Sequence, residues 1–362
     1  MNRRCAALWC FILVGLAAGG CAAPGGEAVQ PSLADPCDDL DAVAAWREAR
    51  AAIVAGDDAS ALPLLKLAVS RCPELVRAHC SYQDAARRLG GVAEEEMTTF
   101  YAGLRGEGSA VPAYMRARLA ETAYAQANDL KQILSKHRGF AWAHLSLARV
   151  NRGQGRLSES LAGFRRAFQL DASLVEAARE LAQVLAELGR TKEAAVAYES
   201  YLKARPGDRD AACEYVGLLL YRLGRVGAAK EWIERLQAAG DRSIALRMDE
   251  AAASWRSGLH RAAAETYVGI LSEQPDNALA ALNVGLLYYE VVPTDEASRR
   301  VCWPRARAAF QMFQEGAATR DGHEQFEQTW AVPYRLRVIG DLIGAGSGRA
   351  PSVADLGWPE GL

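Results

Sequence analysis

Residues 141–174 read AWAHLSLARVNRGQGRLSESLAGFRRAFQLDASL, and residues 175–208 read VEAARELAQVLAELGRTKEAAVAYESYLKARPGD. Set one under the other, they agree in a few columns, and those columns continue beyond them. Gly155, Gly189, Gly224 and Gly258 lie 34, 35 and 34 residues apart, and Arg156, Arg190 and Arg225 follow three of them. Seven residues before each Gly stands a small residue: Ala148, Ala182, Gly217 and Ala251. Five residues after come Ser160, Ala194, Ala229 and Ala263, and nine after come Phe164, Tyr198, Ile233 and Tyr267. Seventeen residues after each Gly stand Ala172, Pro206, Asp241 and Pro275. Self-similarity at a fixed period of this size marks a repeat architecture.

The columns have a mechanical reading. Small residues on a first helix let a second helix approach closely. Gly between them supplies a backbone conformation that other residues resist. The small residue and the large apolar one, four apart, share a face of the second helix and fill the space between the pair. Pro ends the second helix, because it lacks an N–H and disfavours helix in the residue before it.

This small–Gly–small–aromatic–Pro series resembles the tetratricopeptide (TPR) repeat. The resemblance implies an all-α, right-handed α-solenoid of antiparallel helix hairpins, with about six to seven repeats and a C-terminal capping helix. Clear units are Ala141–Leu174, Val175–Asp208, Asp210–Ser243 and Ile244–Asn277. Upstream, Gly56 carries Ala49, Ala61, Leu65 and Pro73 at the matching offsets. Gly90 follows 34 residues later, but Glu95 and Thr99 fit its second helix poorly, and a shortened unit falls at about 107–140. Downstream, Ala278–Glu290 repeats the first-helix pattern, with Gly285 as its small residue, and Ala306–Gln314 supplies a second helix. The expected organisation is a signal peptide at 1–20, a tether at 21–41, divergent units over 42–140 and the main array over 141–315. An inserted loop at 291–304, a capping helix within 316–343 that Pro333 starts or kinks, and a flexible tail at 344–362 complete it. Trp358 is the one anchor expected in that tail.

The N-terminus reads as an address. Arg3 and Arg4 precede the apolar run Cys5–Leu16, and small residues lead into Cys21, the order of a secretory signal. The run is shorter than the ~20 apolar residues that span a bilayer. Ala18-Gly19-Gly20-Cys21 resembles the bacterial lipobox, with Ala18 where that family prefers Leu. The resemblance implies lipidation of Cys21 and retention in the cell envelope, at the outer membrane facing the periplasm. An ordinary secreted protein and an uncleaved anchor are the alternatives. Cleavage before Cys21 takes the net charge of the 362-residue chain from −2 to −4. Half the chain is hydrophobic, which excludes a mainly disordered protein, and the near-neutral balance provides no basic field for nucleic acid. Only six of the 42 basic residues are Lys, the remainder being Arg, a skew that fits a GC-rich genome.

Chemistry is sparse. His79, His137, His144, His260 and His323 form no HExxH and no metal-spaced pair, so no metal or cofactor is expected. His323-Glu324 reads as a solvated first turn. Gly344–Gly348 lacks the preceding strand that a nucleophile or phosphate loop needs. Asp38-Asp39 and Glu94-Glu95-Glu96 read as charge on helix starts. No catalytic residue is expected, and an enzyme built on the 291–304 insertion is a minor alternative. Beyond the signal and Cys21, five Cys remain at irregular spacing, with no CxxC. Cys37 precedes the first helix of the opening hairpin and Cys72 ends its second; antiparallel helices bring those ends together, making the pair a disulfide candidate. Cys80 is the rival partner, and unpaired thiols are the alternative.

In the TPR family, first helices line a groove that holds partner peptides. Helix phase then places Trp142, Arg149, Arg152, Arg179 and Gln183 on that face, followed by Tyr221, Arg222, Trp255, Arg256 and Tyr289. Glu176 and Glu214 lie on the same stripe. Aromatics interleaved with Arg suit a binding surface, although the same spacing fits packing between repeats. The Lys/Asn clamp by which some relatives grip C-terminal carboxylates is missing. The expected function is a non-enzymatic envelope lipoprotein that acts as a scaffold for a protein or peptide partner, in assembly or secretion of envelope machinery. The alternative is a glycan-binding nutrient lipoprotein in which Trp142, Trp255 and Tyr289 stack on sugars.

Overall fold

The computed structural model describes residues 37–106, 108–317, 331–343 and 352–359. The signal, Cys21, His323 and the Gly344–Gly348 run lie outside them. Among the described residues all regular structure is helical, and it comes in pairs. The chain divides into two compact units, with the boundary between Asp208 and Arg209.

The first unit holds five hairpins: α1 (Leu40–Val54) with α2 (Asp58–Arg71), α3 (Val76–Leu89) with α4 (Gly91–Gly103), and α5 (Val111–Ala117) with α6 (Ala123–Lys136). They are followed by α7 (Ala141–Gly153) with α8 (Leu157–Leu170), and α9 (Val175–Glu187) with α10 (Thr191–Ala204). Gly155 and Gly189 sit in the last two turns with φ of +73°, a region that costs any residue with a Cβ. The column residues Ser160, Phe164, Ala194 and Tyr198 are all buried. Close approach is enforced between α7 and α8, where a methyl group on Gly163 would lie 2.8 Å from the Ala148 Cβ. The poor fit of Glu95 and Thr99 is resolved by a shift of two residues. Both are exposed, and Met97 and Tyr101, fully buried and again four apart, fill the α3–α4 hairpin. Cys37 is joined to Cys72 by a disulfide with Cα atoms 5.8 Å apart, tying the entry of α1 to the exit of α2. Cys80, Cys213 and Cys302 form no disulfide. Asp39 caps α1 by accepting from the Asp41 and Ala42 amides, so one of the two early acids serves the helix start.

The second unit opens with α11 (Arg209–Gly217), which continues into a π-helical turn, Leu218–Leu223, and pairs with α12 (Val226–Ala238). Next come α13 (Ile244–Arg256) with α14 (His260–Glu273), then α15 (Ala278–Leu286), a second π turn at Leu287–Val291, and α16 (Glu296–Ala317). The π turn before Gly224 absorbs the one extra residue in the 35-residue spacing, since i→i+5 bonding accommodates a single insertion. The described residues thus form eight hairpins, more than the expected six to seven.

The expected loop at 291–304 is corrected. α16 begins at Glu296 and runs through Pro304, leaving only a short connection. Asp295 accepts from the Ser298 amide at 2.8 Å, the cap of a helix start. Burial of Cys302, Trp303, Ala306, Ala309, Phe310 and Phe313 then outweighs the ~3 kcal/mol that an internal Pro costs a helix. A methyl group on Gly285 would lie 2.5 Å from the Phe310 ring, so α15 and α16 touch at the expected small residue. The capping element is α17 (Val332–Ile343), with Pro333 in its first turn. The expected flexible tail is corrected in part. Residues Val353–Leu356 form a 3-10 turn, Leu356 is buried, and its carbonyl accepts from the Tyr288 hydroxyl at 3.1 Å. Trp358 lies against the Tyr288 ring, centroids 6.1 Å apart. No helix of the described residues is long and apolar enough to cross a membrane.

Candidate functional site: the first-helix face

In the first unit the expected groove residues are tied to the chain itself. Trp142, half-buried on α7, lies under the Arg77 guanidinium of α3, 5.4 Å from the ring centroid. Arg77 also donates to Glu176 Oε1 at 3.0 Å and to the Ser173 carbonyl at 2.8 Å, so it bridges α3 and the start of α9. Arg205 approaches the same Glu176 oxygen at 3.8 Å. Arg149 pairs with Glu180, and Arg152 donates to Gln183 at 2.7 Å and to Glu187. Arg179 reaches Asp208 at 3.3 Å. The Arg149 and Arg152 contacts join α7 to α9, so they form a ladder between successive first helices. Half-exposed pairs of this kind contribute little each to stability, about 0–1 kcal/mol, but they occupy the guanidiniums.

Behind that ladder lies a buried polar cluster. His79 is fully buried, with Nδ1 2.9 Å from the Tyr101 hydroxyl and Nε2 3.0 Å from the Pro73 carbonyl. Nε2 must donate to that carbonyl, which leaves Nδ1 to accept from Tyr101. Burial pulls the imidazole pKa down to about 4, against the opposing bond to Pro73. Arg118 donates to Gln83 Oε1, Cys80 Sγ and Asp84 Oδ1, each within 2.9 Å. These groups satisfy one another, so the cluster reads as structure.

The second unit differs. Tyr221, carried on the π turn, donates to Asp249 Oδ1 of α13 at 2.8 Å. Desolvation pushes the Asp249 pKa up to about 6, with the Tyr221 bond acting the other way. Trp255 is half-buried against the core of this unit. Arg222 and Arg256 are exposed, and among the described residues neither makes a hydrogen bond or ion pair. A methyl group on Gly224 would lie 3.7 Å from Arg256 Nη2, so that guanidinium reaches the turn two residues beyond Arg222. Tyr289 belongs to the end of the unit. It stacks on Trp303 at 5.5 Å, and Arg335 of α17, ion-paired with Glu290, lies 5.7 Å from its ring.

Of the ten expected groove residues, Tyr221 and Arg222 lie on the π turn that ends α11 and Trp255 and Arg256 at the end of α13, with Arg256 reaching the Gly224 turn. Trp142 and Tyr289 each have a guanidinium of this chain over the ring, which takes up a face that a sugar would need. Arg77 was not among the expected residues, because nothing in a 34-residue frame shows a contact that jumps three repeats. No group of three or more metal-ligating side chains occurs among the described residues.

No family model and no curated protein matches the chain. Solved structures it is similar to are TPR proteins. YrrB, described as a TPR protein with an unusual peptide-binding site, is 16% identical over 56% of this chain and 99% of its own, with a TM-score of 0.43. A TPR protein from Parabacteroides merdae is 19% identical over 64% of this chain and 97% of its own, at 0.45. PilF of Pseudomonas aeruginosa is 14% identical over 67% and 95%, at 0.42. The repeat fold itself rests on the hairpins and columns described above.

Proposed function

We propose that this protein is a non-enzymatic scaffold of the bacterial envelope, anchored by lipid on Cys21, that docks a protein or peptide partner. The observation that carries the docking is the α11–α13 face, where Trp255 is half-exposed and the Arg222 and Arg256 side chains are exposed and make no hydrogen bond or ion pair among the described residues. Repeat arrays use such faces for binding, and Arg and Trp are the side chains that concentrate binding energy. Two features support the envelope. The signal-like N-terminus ends at Cys21, and the Cys37–Cys72 bond belongs to a compartment where disulfides persist. Assembly or secretion of envelope machinery is the setting in which such a tethered scaffold would act.

Replacing Cys21 by Ser and fractionating cells tests the anchor. The expected result is loss of acyl labelling and release of the protein from the membrane fraction, with the Cys37–Cys72 bond still formed. Unchanged retention without acyl label overturns the lipid anchor.

A further inference from the structure

We propose that α14, α16 and the second π turn form a peptide-binding slot, which the chain's own Leu356–Pro359 segment fills as a displaceable latch. The ligand it takes is a short segment of the pattern Leu-x-Trp-Pro. The slot uses none of the residues of the α11–α13 face, so it goes beyond the docking reading and stands or falls separately from it.

The turn Val353–Leu356 packs against α14 and α16, the second helices of the last two hairpins. There the segment is held through its backbone, as a receptor holds a peptide. Two consecutive carbonyls accept from side chains of the array: Leu356 from the Tyr288 hydroxyl at 3.1 Å, and Gly357 from Arg305 Nε at 2.7 Å. Main-chain bonds of this kind give affinity whatever the sequence, and the pockets for side chains give the selectivity. Leu356 and Pro359 are buried, Trp358 is half-buried against the Tyr288 ring, and Gly357 between them is exposed. A methyl group on Gly357 would meet nothing within 4 Å, and its φ of −54° suits any residue. The pattern read is therefore Leu-x-Trp-Pro.

Both donors are held in place by the array. Arg305 folds back along α16, where Nη1 donates to the Val301 carbonyl at 2.8 Å, leaving Nε to meet the segment. Tyr288 is fully buried, and burial pushes its hydroxyl up to about 12, so it stays a donor at neutral pH. Loss of the Leu356 carbonyl leaves that donor without its acceptor, a cost that another peptide carbonyl removes. The ligand is shaped beforehand as well. Asp355 accepts from the Ser352 amide at 2.9 Å and from its hydroxyl at 2.8 Å, closing the turn that presents Leu356, so little freedom is lost on docking. Displacement follows from how little of the segment is buried. Of residues 352–359 only Leu356 and Pro359 are, whereas α14 buries Tyr267, Ile270 and Leu271, and α16 buries Trp303, Phe310 and Phe313. An element with few buried contacts opens without unfolding the rest.

The test uses the purified full chain in detergent and a fluorescein-labelled peptide of residues 351–362, PSVADLGWPEGL, read by fluorescence anisotropy. In the Leu356→Asp/Trp358→Asp variant the chain's own segment no longer docks. That open variant should bind the free peptide about tenfold or more tightly than wild type, where the tethered segment competes at an effective concentration on the order of 1 mM. Arg305→Ala added to the open variant should weaken the binding. A Gly357→Ala peptide should bind as well as the native one, and a Leu356→Asp peptide should not bind. In wild-type protein, hydrogen exchange should show the amides of 353–358 opening while α14 and α16 stay protected. Equal peptide binding by wild type and the open variant overturns the proposal, as does no binding by an open variant in which α14 and α16 remain protected. Failure of the open variant to fold, or exchange of 353–358 only together with α14 and α16, makes the segment an integral cap and overturns it too. None of these outcomes bears on the α11–α13 face, because Arg222, Trp255 and Arg256 take no part.

Discussion

Asp249 and His79 respond to acid in opposite directions. The raised Asp249 pKa means that the folded chain holds a proton more tightly than the unfolded chain, whose carboxyl titrates near 3.8. Its contribution is therefore most favourable below that value and is lost as pH rises from about 4 to 6. His79, drawn down from 6.5 to about 4, contributes stability that is present above 6.5 and lost as pH falls through that window. Asp249→Asn keeps an acceptor for Tyr221 and removes the buried charge. It should raise stability at pH 7.5 by up to about 3 kcal/mol, with the gain vanishing towards pH 4. Denaturant melts of both proteins across that range check it; a gain independent of pH would mean that Asp249 is not desolvated. Gly189 offers a simpler test. Its φ of +73° carries the turn, and a Cβ there meets nothing within 4 Å, so Gly189→Val tests backbone strain alone. The variant should lose about 1–3 kcal/mol, read as a lower melting midpoint. Equal midpoints would contradict the turn assignment.

At the scale of the elements, the hairpins were legible because each carries its own punctuation. Turn glycines, column alanines and aromatics four apart are local signals, and their buried positions follow the 34-residue frame. What escaped the reading was tertiary. The stretch expected as a loop, 291–304, becomes the first part of α16, whose later part at 306–314 is the expected second helix; Asp295 and Ser298 carry the helix-start signal that the loop expectation passes over. The α3–α4 hairpin hid behind Glu95 and Thr99 because Met97 and Tyr101 use the frame two residues later. The π turn before Gly224 was present as a spacing of 35 in a series of 34, a length that only coordinates turn into geometry. Site residues were legible as a face and not as free groups. Helix phase put Arg149, Arg152, Arg222 and Arg256 on first helices alike, and only the contacts separate those paired with a neighbouring acid from those left open.

Across the whole molecule, each unit has its own core and its own use of charge. The first is closed at its start by the Cys37–Cys72 bond and laced by arginines, with Arg77 linking α3, α7 and the start of α9. The second buries Tyr267, Tyr288, Phe310 and Phe313, and α17 and the Leu356 turn pack onto that core. On the proposed reading, binding falls to the α11–α13 face, where Arg222 and Arg256 make no ion pair among the described residues, and Trp142, under Arg77, serves the fold. The most direct measurement places a photo-crosslinking aromatic at Trp255 in one strain and at Trp142 in another, and irradiates living cells. Discrete protein adducts from position 255, with none from position 142, are expected. Adducts from position 142 with none from position 255 would contradict the assignment of the binding face.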